Sequence, residues 1–173
     1  MNLPNKLTIA RIILIPLCLL LLYFRLDIFA GIVFIIACLT DFIDGYIARK
    51  RNMVTNFGKF ADPVADKILV VSVMVLLLHQ GRFPWWALLV IVVRELAVDG
   101  IRLVAIEQGV VIAAGNLGKI KTTLQMLGVI AIMFNLDSAI TMTLNVLMTF
   151  FTIVSGLQYI YEGRHLLLEK SGK

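Results

Sequence analysis

The chain contains the stretch DFIDGYIAR at Asp41–Arg49 and, after eight further residues, GKFADPVAD at Gly58–Asp66. The two aspartates of the first stretch are three residues apart, and the two that end the second stretch are four apart. In helices, such spacings place each pair of carboxylates on one face. We therefore expect the two helices to bring four carboxylates together: Asp41, Asp44, Asp62 and Asp66.

Four carboxylates in one cluster repel one another, and their burial costs desolvation free energy. Divalent cations remove both penalties, and hard oxygen ligands favour Mg²⁺ or Mn²⁺ over zinc or copper. Two such ions, about 3.5–4 Å apart, can clamp the attacking and leaving oxygens of a phosphoryl displacement. The pattern thus predicts a site with two Mg²⁺ or Mn²⁺ ions.

Small residues accompany the acids. Gly45 and Ala48 share the face of Asp41 and Asp44, which leaves room for a bulky ligand beside the ions. Arg49, which follows Ala48, offers a planar fork for phosphate. An intramembrane salt-bridge network could also account for the charges, but it does not explain the small residues beside them.

The rest of the chain is strongly apolar. Of its 173 residues, 60% are hydrophobic and 16% charged, and the mean hydropathy is +0.95. Soluble domains carry roughly 45–50% apolar and about 25% charged residues, so the excess apolar surface requires lipid. The length fits one integral-membrane domain, residues 1–173. Six apolar runs follow one another: Ile12–Phe24, Ile28–Thr40, Ile68–Leu78, Phe83–Val93, Thr122–Leu136 and Ser138–Ile160.

Most of these runs are shorter than the roughly 20 residues that a spanning helix needs. Each helix reaches that length only if it continues into the neighbouring polar residues. The aspartates then lie within the membrane, toward one face, where charge is rare unless it has a function.

The connections between the runs alternate in character. Short turns lie near Arg25–Asp27, Gln80–Arg82 and Asn135–Asp137, whereas longer basic connections lie at Arg49–Lys59 and Glu107–Lys121. Basic loops face the cytoplasm. We therefore predict an all-α membrane protein with six transmembrane helices, both termini in the cytoplasm, and an active site open to the cytoplasmic face of the cell membrane.

The spacing D-x-x-D-G-x-x-A-R, eight residues, then G-x-x-x-D-x-x-x-D resembles the CDP-alcohol phosphotransferase family, whose motif is matched in full. The resemblance implies a homodimeric six-helix bundle with a two-metal site and no nucleic-acid partner. It implies that the first three aspartates hold metal and that Asp66 is both a ligand and the base that activates the acceptor hydroxyl. The positions matching the family's CDP site are Asp41, Asp44, Gly45, Ala48, Arg49 and Gly58.

Weaker signatures narrow this resemblance. PNKLTIARIILIP at the N-terminus, REL and GIR between Arg94 and Arg102, and GKIKTTLQ at Gly118–Gln125 resemble phosphatidylglycerophosphate synthases. Thr8 and Arg11 also match the family, but we assign them no role. The implied reaction transfers the phosphatidyl group of CDP-diacylglycerol to glycerol 3-phosphate, giving phosphatidylglycerophosphate and CMP for phospholipid biosynthesis.

An anionic acceptor agrees with the position of the basic residues. Arg94 lies about 16 Å into the fourth span, where a cation is functional by default. Helix N–H groups near Gly115 and Gly118 can also receive phosphate. We expect the acceptor phosphate to be bound by four residues: Arg94, Arg102, Lys119 and Lys121.

Several alternatives stay open at this point. The two arginines could simply neutralise Glu95, Asp99 or the aspartate cluster, and the two lysines could only mark the cytoplasmic side. The same chemistry could serve inositol phosphate or serine as the acceptor. A small cation transporter would also place carboxylates among helices, although such sites usually lie near the midplane between internal repeats.

Overall fold

The computed structural model describes the backbone of residues 3–50, 56–110 and 115–168, and the side chains of residues 9–40, 64–110 and 115–164. Within these ranges the chain is helical and contains no strand. The helices are α1 Leu3–Tyr23, α2 Asp27–Lys50, α3 Asn56–His79, α4 Trp85–Glu107, α5 Asn116–Met133 and α6 Ser138–Leu168. The all-helical prediction is confirmed for this part of the chain.

The helices continue beyond the apolar runs into the charged residues, as predicted. α2 is 24 residues long and runs through the first acidic stretch to Lys50. α3 is also 24 residues long and begins at Asn56, so the second acidic stretch lies in its first half. At 1.5 Å per residue each helix is about 36 Å long, which exceeds the ~30 Å hydrocarbon core.

Four helices end in the same hydrogen-bonded motif. In each, a residue with positive φ follows the helix, and the next N–H group returns to a carbonyl five residues earlier. The N–H group of the positive-φ residue itself donates to a carbonyl three residues earlier. These two hydrogen bonds satisfy carbonyls that a helix end leaves without partners. The positive-φ residues are Arg25, Gly81, Gly109 and Asn135. Three of them lie in the predicted short turns, whose positions are confirmed.

The chain divides into two compact units. The first comprises Met1–Phe83 and Val129–Asp137. Within it, α1 packs against α2 and α3. Its core contains Cys18, Leu22, Phe34, Leu69, Val73, Met74 and Leu77.

The second unit comprises Pro84–Gly128 and Ser138–Lys173, and its main contact joins α4 to α6. A Cβ atom added to Gly156 would lie 3.0 Å from Arg94 Cγ, and one added to Gly163 would lie 2.7 Å from Ile101 Cγ2. The second pair lies seven residues after the first on both helices, so α4 and α6 run parallel here. The two glycines thus let α4 approach α6 closely, as small residues do in membrane helix packing.

Large apolar side chains are exposed along every helix for which side chains are described, including Phe29, Trp85, Leu96, Leu103 and Leu157. Exposed apolar surface of this extent marks a membrane or protein contact. Among the described residues, Ser138–Arg164 is long and apolar enough to cross a membrane unaided, whereas Ile9–Tyr23 and Asp27–Thr40 are shorter apolar helices. α4 carries Arg94, Glu95, Asp99 and Arg102 within its length.

Candidate active site

The aspartate motif, Asp41–Asp66, lies on the C-terminal part of α2 and the N-terminal part of α3. Both segments are helical, so Asp41 and Asp44 share one face, as do Asp62 and Asp66. Most side chains of the motif lie outside the described residues: Asp41, Asp44, Gly45, Ala48, Arg49, Gly58 and Asp62. Their convergence therefore stays a prediction.

Asp66 is the member of the motif whose side chain is described. It is half-buried. Leu69, Val70 and Val73, which follow it by three, four and seven residues, are buried. At these helical spacings they share a face with Asp66. The carboxylate thus borders the packed face of α3, where a charge requires an ionic or polar partner.

The described side chains contain no group of three or more His, Cys, Asp or Glu residues that could hold a metal ion. Three of the four predicted ligands fall outside that set. As a donor set, four aspartates offer only hard oxygen atoms, which fit Mg²⁺ or Mn²⁺.

The second unit brings together a basic cluster, defined here as Arg94, Glu95, Arg102, Lys121 and Tyr159. Lys121 is buried, and its Nζ donates to Glu95 Oε1. Arg94 Nη1 lies 3.3 Å from the same oxygen. One carboxylate therefore pairs with two cations. The alternative that Arg94 neutralises Glu95 thus describes part of the arrangement.

The carboxylates near the basic cluster do not neutralise all of its positive charge. Within the basic cluster, Arg94, Arg102 and Lys121 bring three positive charges and Glu95 brings one negative charge, which leaves +2. If Asp99 of α4 is counted as well, the sum is +1. The Nε atoms of both arginines are buried, and the described part of the protein offers neither of them a hydrogen-bond acceptor. Buried donors without acceptors are rare and mark sites that a ligand or water can complete.

The basic cluster also borders the first turn of α5. A Cβ atom added to Gly118 would lie 3.7 Å from Arg94 Nη2, so the guanidinium lies against the first turn of that helix. A helix N-terminus and a guanidinium both attract anions. Lys119 is exposed and, being two residues from Lys121, points to a different side of α5. Of the four predicted phosphate ligands, the structure thus groups Arg94, Arg102 and Lys121.

The sequence matches the family of CDP-alcohol phosphatidyltransferases over residues 1–154. This range contains the complete aspartate motif and most of the described helices. The chain belongs to the CDP-alcohol phosphatidyltransferase family. Membership confirms the predicted resemblance and makes the chain a phosphotransferase.

Curated members of the family are similar to the chain over most of its length. A CDP-diacylglycerol–glycerol-3-phosphate 3-phosphatidyltransferase from Bacillus subtilis is 45% identical over 179 residues, covering 91% of this chain and 93% of that protein. The enzyme of the same name from Rickettsia typhi is 38% identical, covering 91% and 94%. A probable phosphatidylglycerophosphate synthase from Mycobacterium tuberculosis is 35% identical, covering 92% and 80%.

Two buried residues of this family member had no role assigned from the sequence, Arg11 and Tyr159. Arg11, in the N-terminal signature, is fully buried on α1 in the unit that carries the aspartate motif. Tyr159 is 3% exposed on α6 and contacts both arginines of the basic cluster. A signal for Tyr159 exists in the sequence, because it lies between Gly156 and Gly163 at helical spacing, but its partners on α4 are 57 and 65 residues away.

Proposed function

We propose that the chain transfers the phosphatidyl group of CDP-diacylglycerol to the free primary hydroxyl of sn-glycerol 3-phosphate, giving phosphatidylglycerophosphate and CMP. The observation that carries the choice of acceptor is the basic cluster, which keeps a net positive charge and unpaired guanidinium donors in a largely buried position. The names of the similar enzymes support the same acceptor.

The aspartate motif is proposed to hold two divalent ions, Mg²⁺ or Mn²⁺, through Asp41, Asp44, Asp62 and Asp66. When bound, these ions supply charge stabilisation for the phosphates during displacement. The CDP moiety is proposed to lie along Asp41, Asp44, Gly45, Ala48, Arg49 and Gly58. Arg49 contributes a bidentate fork for a phosphate there.

The chemistry assigned to the side chains is a single in-line displacement. Asp66 accepts the proton of the acceptor hydroxyl. The hydroxyl oxygen forms a bond to the lipid-side phosphorus, the bond from that phosphorus to the CMP oxygen breaks, and CMP leaves with the electron pair. Arg94, Arg102 and Lys121 hold the acceptor phosphate, and the exposed Lys119 contributes positive charge at the start of α5.

We further propose that all six helices cross the cell membrane, with both termini and the active site on the cytoplasmic side. The basic connections at Arg49–Lys59 and Glu107–Lys121 support this orientation. We propose one domain spanning residues 1–173 and assembly as a homodimer. The exposed apolar side chains of the helices provide the surface for lipid and for the second copy.

An acceptor panel tests the proposed function. The purified protein is supplied with CDP-diacylglycerol in detergent micelles and with glycerol 3-phosphate, glycerol, inositol 1-phosphate or serine, and released CMP is measured. We expect kcat/KM for glycerol 3-phosphate to exceed that for glycerol by at least about 100-fold, because glycerol forfeits charge-assisted hydrogen bonds. CMP release with inositol 1-phosphate or serine, and none with glycerol 3-phosphate, would overturn the assignment.

A further inference from the structure

Tyr159 contacts both arginines of the basic cluster from the opposite helix. The Cζ atom of Arg94 lies over its ring, 5.4 Å from the centroid, and the Cζ atom of Arg102 lies at the same distance. Arg102 Nη2 also donates a hydrogen bond of 2.8 Å to the Tyr159 hydroxyl. One aromatic side chain thus organises two guanidinium groups that start eight residues apart on α4.

The position of Tyr159 is determined by the packing of α4 on α6. It follows Gly156 by three residues and precedes Gly163 by four, so the three residues share one face of α6. At Gly156 and Gly163, side chains of α4 approach the backbone of α6 closely. Tyr159 therefore lies between two close contacts of the helices, and the residue is 3% exposed.

An aromatic partner differs from a carboxylate in what it leaves free. A carboxylate holds an arginine by neutralising it and by occupying its in-plane donors. A ring holds the guanidinium through its face and leaves both the charge and in-plane N–H groups available. The unpaired Nε atoms of Arg94 and Arg102 agree with this difference.

We propose that Tyr159 is a positioning residue for the acceptor site: its ring and its hydroxyl hold Arg94 and Arg102 in the orientation that receives the phosphate of the acceptor alcohol. This proposal rests on the proposed function of the basic cluster. The binding charge comes from the arginines, and Tyr159 acts through them.

The test uses Tyr159→Leu, which removes ring and hydroxyl, and Tyr159→Phe, which removes only the hydroxyl. Tyr161→Leu is the matched control. On the same helix, the Cζ atom of Arg164 lies 4.2 Å from the centroid of the Tyr161 ring, so this tyrosine also contacts an arginine. Tyr161 differs from Tyr159 in being 66% exposed. Arg94→Ala sets the scale for loss of a phosphate ligand. For each variant, KM for glycerol 3-phosphate, KM for CDP-diacylglycerol and kcat are measured by CMP release.

We expect Tyr159→Leu to raise KM for glycerol 3-phosphate about tenfold, as loss of two cation–aromatic contacts implies. KM for CDP-diacylglycerol should change less than about twofold, because Tyr159 acts on the acceptor side only. Tyr159→Phe should recover part of the loss and keep a rise of about threefold from the missing hydrogen bond. Tyr161→Leu should leave both constants unchanged.

The outcomes separate the two proposals. If Arg94→Ala raises KM for glycerol 3-phosphate and Tyr159→Leu does not, the positioning role is wrong and the acceptor site stands. If Arg94→Ala leaves that KM unchanged, the acceptor site itself is wrong. Equal rises in both KM values for Tyr159→Leu would mean a merely structural role. Should Tyr159→Leu fail to fold, an unchanged KM for glycerol 3-phosphate in Tyr159→Phe overturns the proposal.

Discussion

Arg82 connects three turns of the first unit through one guanidinium group. Its Nη1 donates to Asp27 Oδ2 at 2.9 Å and to Gln80 Oε1 at 3.3 Å. Its Nη2 donates to the Ile132 carbonyl and, at 2.9 Å, to Asn135 Oδ1. Arg82 lies in one of the predicted short turns and not in a basic connection, so the predicted alternation of loop charge does not explain it. The contacts explain its presence, because the guanidinium satisfies acceptors that the turns bring together.

Arg82→Ala should lower the free energy of unfolding by about 2–3 kcal/mol, since it leaves the half-buried Asp27 carboxylate without its cation. Thermal unfolding of the purified protein in detergent measures the loss. Arg25→Ala is the control, because within the described part of the chain the exposed Arg25 side chain donates one hydrogen bond, to Gln80 Oε1 at 3.1 Å. Its loss should cost under about 1 kcal/mol. Equal losses in the two variants would contradict a connecting role for Arg82.

At this scale, sequence reasoning identified which charged residues to examine but not what they contact. Arg94 stood out because a cation inside an apolar helix is costly, and Lys121 because it lies near a helix N-terminus that can receive phosphate. Glu95 appeared among several possible partners. Tyr159 was missed because an aromatic residue in an apolar helix is usually core, and its contact with Arg102 joins residues 57 positions apart.

The six helices were well predicted at the level of elements. The apolar runs were too short to span a membrane, and the helices lengthened into the polar residues because a backbone in lipid must satisfy its own hydrogen bonds. Gly81 and Asn135 are typical residues for the positive-φ position after a helix, so the short turns could be located. The parallel packing of α4 on α6 was not predicted, because it depends on close approaches between residues more than 60 positions apart.

Glycine substitutions test the α4–α6 contact. Gly163→Ala would place Cβ 2.7 Å from Ile101 Cγ2, and a β-branched side chain cannot rotate away freely. We expect a loss of about 1–3 kcal/mol, measured by thermal unfolding in detergent. Gly100→Ala on α4 is the control, because nothing lies within 4 Å of its added Cβ. It should stabilise the protein by about 0.5–1 kcal/mol through helix propensity. A stabilising Gly163→Ala would contradict the close approach.

For the whole molecule, the family could be inferred from the spacing of a few residues, because that spacing resembles a known motif. Two helical pairs of aspartates, small residues beside them and an apolar chain predict metal-assisted phosphorus chemistry in a membrane, and the role of the metal stays a prediction. The division into two units was not visible in the sequence, because α5 contributes its first part to one unit and Val129–Met133 to the other. The proposed membrane orientation and homodimer rest on loop charge and on exposed apolar surface.

The central claim is that the four aspartates hold divalent ions on which phosphatidyl transfer depends. The most direct measurement is CMP release from CDP-diacylglycerol and glycerol 3-phosphate after exhaustive chelation of the purified protein, followed by addition of Mg²⁺ or Mn²⁺. We predict that chelation reduces the rate to background, because charge on the phosphates is then uncompensated, and that either ion restores it. A full rate of CMP release in the chelated protein would contradict the claim.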